Sequence, residues 1–439
     1  MNEKAFKTYD VRGIYPDEVN EDLAYRVGRA FVSFLEEESP RIVVGHDARE
    51  SSPGLAEKLK EGIVEGGGTV IDIGMSTTPL LNYTVCKNDY SGGVAVTASH
   101  NPPRFNGLKL IKRKGLQVYG NKIKKIKKII EKEDFTSGKG KIKTVNPVDD
   151  YLDHIYSFGA DAEKLKIVVD YGNSVASLTG KPLFDRMNIE TIHLYDRIDG
   201  SFPNHEANPT PENMKALIET VKKEEADLGV FFDGDGDRAV FIDEKGEVVY
   251  PDLLTALLAP EELPDSKEKK IYFDLRFSKV VPEVISEAGG IPEMMRVGNP
   301  FYKEKLIGEG GLMGVELSGH VMHKDNFCID DGLFIAVKLI DFLSGKKSFS
   351  ELVKPLKRYY QSEEINMEVE DKEKVLKEVE NAYPDGAHYD LDGVYVEFED
   401  WWFNLRKSNT EDLVRLRLEA DDEEILKKRK KELISLIEG

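Results

Sequence analysis

The chain has 439 residues and a formal net charge of −20, with 32% charged and 40% hydrophobic residues. This length is enough for about three or four domains, and the acidic balance argues against a protein that binds nucleic acid through a basic face. No run approaches the ~18 apolar residues of a membrane span, and the first ten residues lack the apolar core of a signal peptide. With only two cysteines, which suits a reducing compartment, we expect a cytoplasmic protein without membrane or nucleic-acid partners. Monomer and homo-oligomer both stay open.

The order strand, polar loop, helix and strand occurs three times along the chain, with first strands predicted at 42–45, 166–170 and 270–274. Such crossovers build mixed α/β sheets. From 365 onward short strands mix with helices, which indicates an α+β unit. We therefore predict three related α/β domains and a C-terminal α+β domain, and a loop at 136–146. The predicted domain boundaries are 1–146, 147–247, 248–362 and 363–439.

A buried strand is predicted at 94–98, and Asn101-Pro102-Pro103 ends it because proline cannot donate to a ladder. Ser99 and His100 therefore lie at the carboxyl end of a strand, where open α/β sheets bind their ligands. Ser99 could instead cap a helix, but Asn106-Gly107 follows and no helix is expected there. The pattern favours Ser99 as a nucleophile.

A second strand, 228–232, is followed by aspartates at every other position: Asp233, Asp235 and Asp237. Alternate residues of an extended chain point to the same face, so the three carboxylates are expected to converge. Hard oxygen ligands of this kind suit Mg²⁺ that also holds a phosphate oxygen. Lys109 and Arg238 would balance the negative charge.

An EF-hand calcium loop is the rival interpretation of this segment. The three aspartates fill its positions 1, 3 and 5, and Glu244 falls at position 12. Position 6 should be glycine and is Arg238, and the flanks favour strands over helices. The magnesium interpretation is therefore preferred.

Two later loops carry polar groups that suit a sugar phosphate. Glu316 and Ser318 alternate with Leu317, which places a carboxylate and a hydroxyl on one side, as needed to hold sugar hydroxyls. The segment 406–411 offers a guanidinium, hydroxyls and an amide, with Arg415 beyond, and this set suits a dianionic phosphate. An ordinary glycine turn and a charged surface hairpin are the alternatives for these loops.

Taken together, the motifs resemble the α-D-phosphohexomutase family, in its phosphomannomutase/phosphoglucomutase branch. The resemblance covers essentially the whole chain and rests on several motifs in order. These motifs are Tyr9-Asp10-Val11-Arg12-Gly13, Thr97-Ala98-Ser99-His100-Asn101-Pro102, Asn106-Gly107-Leu108-Lys109, and the segments 233–238, 316–320 and 406–411.

The resemblance implies a four-domain, heart-shaped enzyme with one loop from each domain facing a central cleft. Its chemistry would interconvert hexose 1-phosphate and hexose 6-phosphate, of mannose and/or glucose, through a phosphoserine and a hexose 1,6-bisphosphate intermediate that also activates the enzyme. Ser99 would carry the phosphoryl group, and Ser99, Asp233, Asp235 and Asp237 would hold Mg²⁺. Catalytic roles would fall to Ser99, His100, Lys109, Arg12, Arg238 and His320, with His320 or Lys109 assisting proton transfer. The substrate would be bound by Glu316, Ser318, Arg406, Ser408, Asn409, Thr410 and Arg415.

Some positions depart from the family's pattern. Asn299 stands where the bifunctional enzymes typically carry histidine, Arg276 where lysine is frequent, and Lys407 and Asp412 where prolines are usual. A phosphoglucosamine mutase is a less favoured alternative, because Gly236 and Leu317 occupy places where that branch shows alanine and glutamine. A phosphopentomutase of this fold and a non-catalytic sugar-phosphate binding protein are further alternatives.

Overall fold

A computed structural model describes residues 3–159, 162–408 and 413–438. The chain divides into two compact units, the first within 1–249 and 318–350 and the second within 250–317 and 351–439. The predicted third domain therefore contributes residues to both units. Within the described ranges, no helix combines the length and the apolar content that a membrane crossing requires.

The first unit begins with a six-stranded mixed sheet. Its elements are β1 (Val11–Ile14), α1 (Glu21–Leu35), β2 (Arg41–His46), α2 (Ser52–Glu65), β3 (Thr69–Met75), α3 (Thr78–Lys87), β4 (Gly92–Val96), β5 (Phe105–Lys112), α4 (Asn121–Lys132) and β6 (Lys141–Thr144). The strand order is β1-β5-β4-β2-β3-β6, in which β2 lies parallel to both β3 and β4. Because His46 pairs with Val96 in this register, the loops that follow β2 and β4 leave the sheet side by side.

A second sheet of the first unit has five strands. Its elements are α5 (Val148–Tyr156), β7 (Glu163–Asp170), α6 (Ala176–Arg186), β8 (Asn188–Leu194), α7 (Lys215–Lys223), β9 (Leu228–Phe232), β10 (Ala239–Asp243) and β11 (Val248–Val249). The order is β11-β10-β9-β7-β8. Strand β9 is fully buried, and β10 returns antiparallel to it with Ala239 opposite Phe232. The predicted metal loop, 233–238, is therefore the turn of a rigid hairpin.

The next elements are α8 (Pro251–Glu262), β12 (Lys270–Asp274), α9 (Val280–Glu287), β13 (Ile291–Met295), α10 (Asn299–Glu309), β14 (Met313–Val315), β15 (Val321–His323), α11 (Gly332–Leu343) and α12 (Phe349–Val353). Strand β12 lies parallel to both β13 and β14 in the second unit. Their parallel pairing agrees with the predicted strand–helix–strand crossovers.

The C-terminal sheet of the second unit is antiparallel. Its elements are β16 (Tyr360–Gln361), β17 (Ile365–Met367), α13 (Lys372–Ala382), β18 (Ala387–Tyr389), β19 (Val394–Glu397), β20 (Trp401–Lys407), β21 (Val414–Ala420) and α14 (Glu423–Glu438). Its strand order is β16-β21-β20-β19-β18, and β17 also pairs with β21. Arg406 on β20 lies directly opposite Arg415 on β21, so the register brings two predicted phosphate ligands together.

One sequence prediction about secondary structure is wrong. Residues 136–146 were expected to be a loop, but β6 lies within them and pairs parallel to β3. All four residues of β6 are exposed and two are lysines, as is usual for an edge strand. Such a strand lacks the alternating apolar pattern by which a strand is recognised in sequence.

Candidate active site

Ser99 follows β4 in a backbone conformation that only a supported loop maintains. Its φ is +50°, the left-handed region that non-glycine residues seldom adopt. The side chain is almost completely buried. Its hydroxyl donates to Asp233 Oδ2 at 3.1 Å and lies 3.3 Å from His100 Nδ1. The serine predicted as nucleophile is therefore in direct contact with the predicted metal loop.

Arg49, which the sequence analysis did not select, holds the loop that carries Ser99. Its guanidinium donates to the carbonyl oxygens of Ser99, Asn101, Pro102 and Phe105 at 2.6–3.2 Å. It is paired with Asp47 at 3.0 Å, and both side chains are buried. The sequence signal that could have revealed this role is an aspartate and an arginine directly after β2, next to β4 in the sheet.

The three aspartates of the metal loop converge as predicted. One carboxylate oxygen from each of Asp233, Asp235 and Asp237 lies within 4.8 Å of the others, and all three side chains are buried. Asp235 Oδ1 and Asp237 Oδ1 accept no hydrogen bond from the described residues. Two buried oxygens without a donor are costly unless a cation binds them, so this donor set fits a hard divalent metal.

Two cations balance the aspartates. Lys109 Nζ lies 2.6 Å from Asp235 Oδ2 and 2.7 Å from Asp237 Oδ2, and Arg238 donates to Asp233 Oδ2 at 2.8 and 2.9 Å. Burial raises the pKa of Asp233 to about 6, and Arg238 opposes that rise. For Lys109, burial alone would lower the pKa, but Asp235 and Asp237 raise it above its usual value. Lys109 is thus a cation that binds carboxylates.

The other predicted catalytic residues of the first unit also lie at this site. Arg12 donates to Ala98 O and to Asn101 Oδ1, and thus contacts the loop of Ser99. Arg238, together with burial, lowers the pKa of His100 well below its usual value, so this histidine is neutral. His320 Nε2 lies 3.7 Å from Asp237 Oδ1, and its Nδ1 lies 2.7 Å from Ser318 Oγ. We name the group of Ser99, Lys109, Asp233, Asp235, Asp237 and Arg238 the phosphoryl site.

The predicted sugar-binding residues fall on both sides of the boundary between the units. Ser318 belongs to the first unit, whereas Glu316 belongs to the second. Glu316 is buried at the end of β14, and its Oε1 accepts from the amide of Gly298 at 2.9 Å. The amide of Leu317 donates to Asp274 Oδ2 at 3.0 Å. The loop that carries Glu316 is therefore fixed to the end of β12.

In the second unit, three arginines surround one carboxylate, and we name this group the arginine cluster. Glu364 Oε2 accepts from Arg276 and Arg406 at 3.0 Å each, and Oε1 accepts from Arg415 at 3.2 Å. Burial alone would raise the pKa of Glu364, but the three arginines lower it to about 2. Sequence analysis selected Arg406 and Arg415 as phosphate ligands and missed Glu364. Ser408 follows β20, with its amide bonded to Leu413 O, and Asn409 and Thr410 lie outside the described residues.

Models of one protein family match the chain in four consecutive segments. They are described as phosphoglucomutase/phosphomannomutase alpha/beta/alpha domain I at 3–137, domain II at 149–246 and domain III at 250–359, and the C-terminal domain at 364–436. The predicted four-domain architecture is thereby confirmed.

Individual proteins match over almost the whole chain. A phosphomannomutase/phosphoglucomutase of Pseudomonas aeruginosa is 37% identical over 431 residues, which are 96% of this chain and 93% of that protein. A phosphomannomutase of Methanocaldococcus jannaschii is 35% identical over 98% of this chain and 97% of that protein. The crystal structure of a phosphoglucomutase/phosphomannomutase family protein from Burkholderia thailandensis superposes with a TM-score of 0.92 at 32% identity, covering 100% of this chain and 98% of that one. The chain therefore belongs to the phosphoglucomutase/phosphomannomutase family and is a phosphosugar mutase.

Proposed function

We propose that this mutase interconverts the 1-phosphate and 6-phosphate of a hexose, mannose and/or glucose, through a phosphorylated Ser99 and a hexose 1,6-bisphosphate intermediate. The observation that carries the proposal is the contact of the Ser99 hydroxyl with Asp233 at 3.1 Å, on a loop held by Arg49. Relatives of this chain bear the names of mutases for both sugars. Phosphoglucosamine and phosphopentose remain alternative substrates, and a protein that only binds sugar phosphates is disfavoured because every reactive position is present.

Phosphoryl transfer requires positioning and charge stabilisation more than covalent catalysis by the protein. Asp233, Asp235 and Asp237 would hold Mg²⁺ together with the phosphate on Ser99, and the bound ion would neutralise charge on the transferring group. Lys109, Arg238 and Arg12 supply further positive charge. The phosphorus–Oγ bond of phosphoserine breaks as a bond to a sugar hydroxyl oxygen forms. The bisphosphate then returns its other phosphoryl group to Ser99 Oγ.

The proton of the attacking hydroxyl requires an acceptor at the same site. Lys109 is engaged with two aspartates, which makes it a poor base, whereas His320 lies at the edge of the aspartate group with a ring nitrogen 3.7 Å from Asp237. We therefore favour His320 for this transfer. Positioning of the sugar falls to Glu316 and Ser318.

The spectator phosphate, which is the phosphate that does not transfer, falls to a cationic set. Its members are Arg406, Ser408, Asn409, Thr410 and Arg415. Guanidinium groups suit a phosphate dianion because their hydrogen bonds are charge-assisted. We also retain as proposals a cytoplasmic location and the domain boundaries at 146, 247 and 362.

Ser99→Ala tests the proposal most directly. The variant lacks the atom that carries the phosphoryl group, so we expect no measurable turnover with glucose 1-phosphate or mannose 1-phosphate. Intact-mass analysis of the parent protein incubated with hexose 1,6-bisphosphate should show one added phosphate, and the variant none. Ser91→Ala, which changes a buried serine outside the phosphoryl site, serves as a control. Turnover by Ser99→Ala near that of the parent would refute the phosphoserine mechanism.

A further inference from the structure

Glu364 holds the arginines that the proposed function assigns to the spectator phosphate. Arg406 and Arg415 face each other on β20 and β21, and like charges directly opposite destabilise a sheet. Glu364 precedes β17, which pairs with β21 on its other side, and its carboxylate contacts both guanidiniums. An anion from the protein itself thus offsets this repulsion.

The third arginine has a separate partner. Arg276 binds Asp274 through Nε and Nη2 at 2.8 and 2.6 Å, which leaves Nη1 directed at Glu364. The ion-paired groups of the cluster are therefore three guanidiniums and two carboxylates, with one net positive charge. Without Glu364 the net charge would be two positive charges, which match a phosphate dianion.

We infer that Glu364 is an internal competitor of the spectator phosphate, which displaces this carboxylate from Arg406 and Arg415 when substrate binds. The inference rests on the proposed function, because it needs the phosphate to bind these two arginines. Phosphate oxygens require the same N–H groups that now donate to Glu364. The side chain of Glu364 is 23% exposed and joined to the chain by rotatable bonds, so it is able to withdraw.

Such a competitor has a purpose in a mutase. The bisphosphate intermediate exchanges its two phosphates between the serine and the spectator position, so the spectator site must release each phosphate readily. A carboxylate that returns to the arginines lowers the affinity for phosphate and favours that release. It also keeps the two guanidiniums in position between turnovers, which lowers the cost of ordering them on binding.

The test compares Glu364→Gln with Glu363→Gln in the full-length protein. Glu363 is the exposed neighbour, so both variants lose one negative charge and only one loses the contact with the arginines. Binding of inorganic phosphate, followed by calorimetry, should be roughly tenfold tighter in Glu364→Gln, as expected for release of one charge-assisted contact. It should be unchanged in Glu363→Gln. KM for glucose 1-phosphate should fall in Glu364→Gln, and kcat should fall as well because release becomes slower.

Unchanged or weaker phosphate binding by Glu364→Gln would overturn the inference, as would an equal gain in Glu363→Gln. If Glu364→Gln does not fold, Glu364→Asp replaces it, because the shorter side chain cannot span the arginines and should also bind phosphate more tightly. Arg406→Ala is measured in the same titration. Parent-like phosphate affinity in Arg406→Ala would refute the proposed phosphate site itself, whereas a loss there without a gain in Glu364→Gln refutes only the competitor role.

Discussion

The phosphoryl site and the arginine cluster are charged in opposite ways. In the phosphoryl site, three buried aspartates surround Ser99, and two of their oxygens have no donor among the described residues. In the arginine cluster, three guanidiniums share the carboxylate of Glu364. Each group is partly neutralised from within, by Lys109 and Arg238 in one and by Glu364 in the other. Each is thus held in position with a remaining demand for an ion of opposite charge.

The largest effect should come from breaking the charge balance of the phosphoryl site. Asp235→Asn removes one carboxylate that binds Lys109 and Thr78 and that would hold the metal. We expect kcat/KM to fall by roughly a thousandfold, because stabilisation of the transferring group depends on that ion. Activity should be measured during titration with Mg²⁺ after chelation, and the parent should lose activity on chelation and regain it.

Asp265→Asn, at an exposed position of the second unit, is the matched control and should behave as the parent does. Retention of parent-like activity by Asp235→Asn would contradict the metal assignment. Better activity with Ca²⁺ than with Mg²⁺ would favour the rival calcium-loop interpretation instead.

A smaller effect is expected from loosening the loop that presents Ser99. Arg49→Lys keeps the charge, but one ammonium group cannot donate to the four carbonyl oxygens that Arg49 binds. Ser99 would then be less often in the left-handed conformation observed. We expect kcat to fall roughly a hundredfold, as for a misplaced reacting group, with little change in KM.

Arg104→Lys is the control for that experiment, since Arg104 lies in the same loop and is exposed above the ring of Phe105. Both kcat and the rate of Ser99 phosphorylation should be measured in the two variants. An equal kcat in both would show that Arg49 has no positioning role.

The contrast between the two sites also explains what could be predicted from the sequence. Ser99 and the three aspartates follow buried strands that end abruptly, and such signals are local in sequence. Glu364 binds Arg406 and Arg276, which are 42 and 88 positions away, and nothing in its neighbourhood in the sequence indicates these partners. Arg49 acts on carbonyl oxygens about 50 positions away, and backbone acceptors leave no mark in the sequence. Roles that depend on distant pairing become visible only in the fold.

A second buried glutamate of the same C-terminal sheet sharpens the comparison, because no cation balances it in the way that Glu364 is balanced. Glu419 on β21 is fully buried. Its Oε1 accepts from the amide of Lys279 at 2.8 Å and from Trp402 Nε1 at 3.0 Å, and its Oε2 has no donor among the described residues. Burial raises the pKa of Glu419 to about 7, and the nearby Asp252 adds to the rise. The two glutamates therefore have pKa values displaced in opposite directions.

The smallest predicted effect follows from this raised pKa. Below pH 4.5 the carboxyl is protonated in both the folded and the unfolded chain. Between pH 4.5 and about 7 only the folded chain keeps the proton, so stability falls as the pH rises through this window and is constant above it. The shift corresponds to about 3 kcal/mol at most. Glu419→Gln keeps the acceptor for Lys279 and Trp402 and places a neutral amide at the second position, so its stability should not vary over this window. The difference in Tm between Glu419→Gln and the parent should therefore rise from pH 5 to pH 8, with the variant more stable at pH 8. Glu380→Gln, exposed on α13, should show no such trend, and a flat difference for Glu419→Gln would mean that Glu419 is ionised in the folded protein at pH 5.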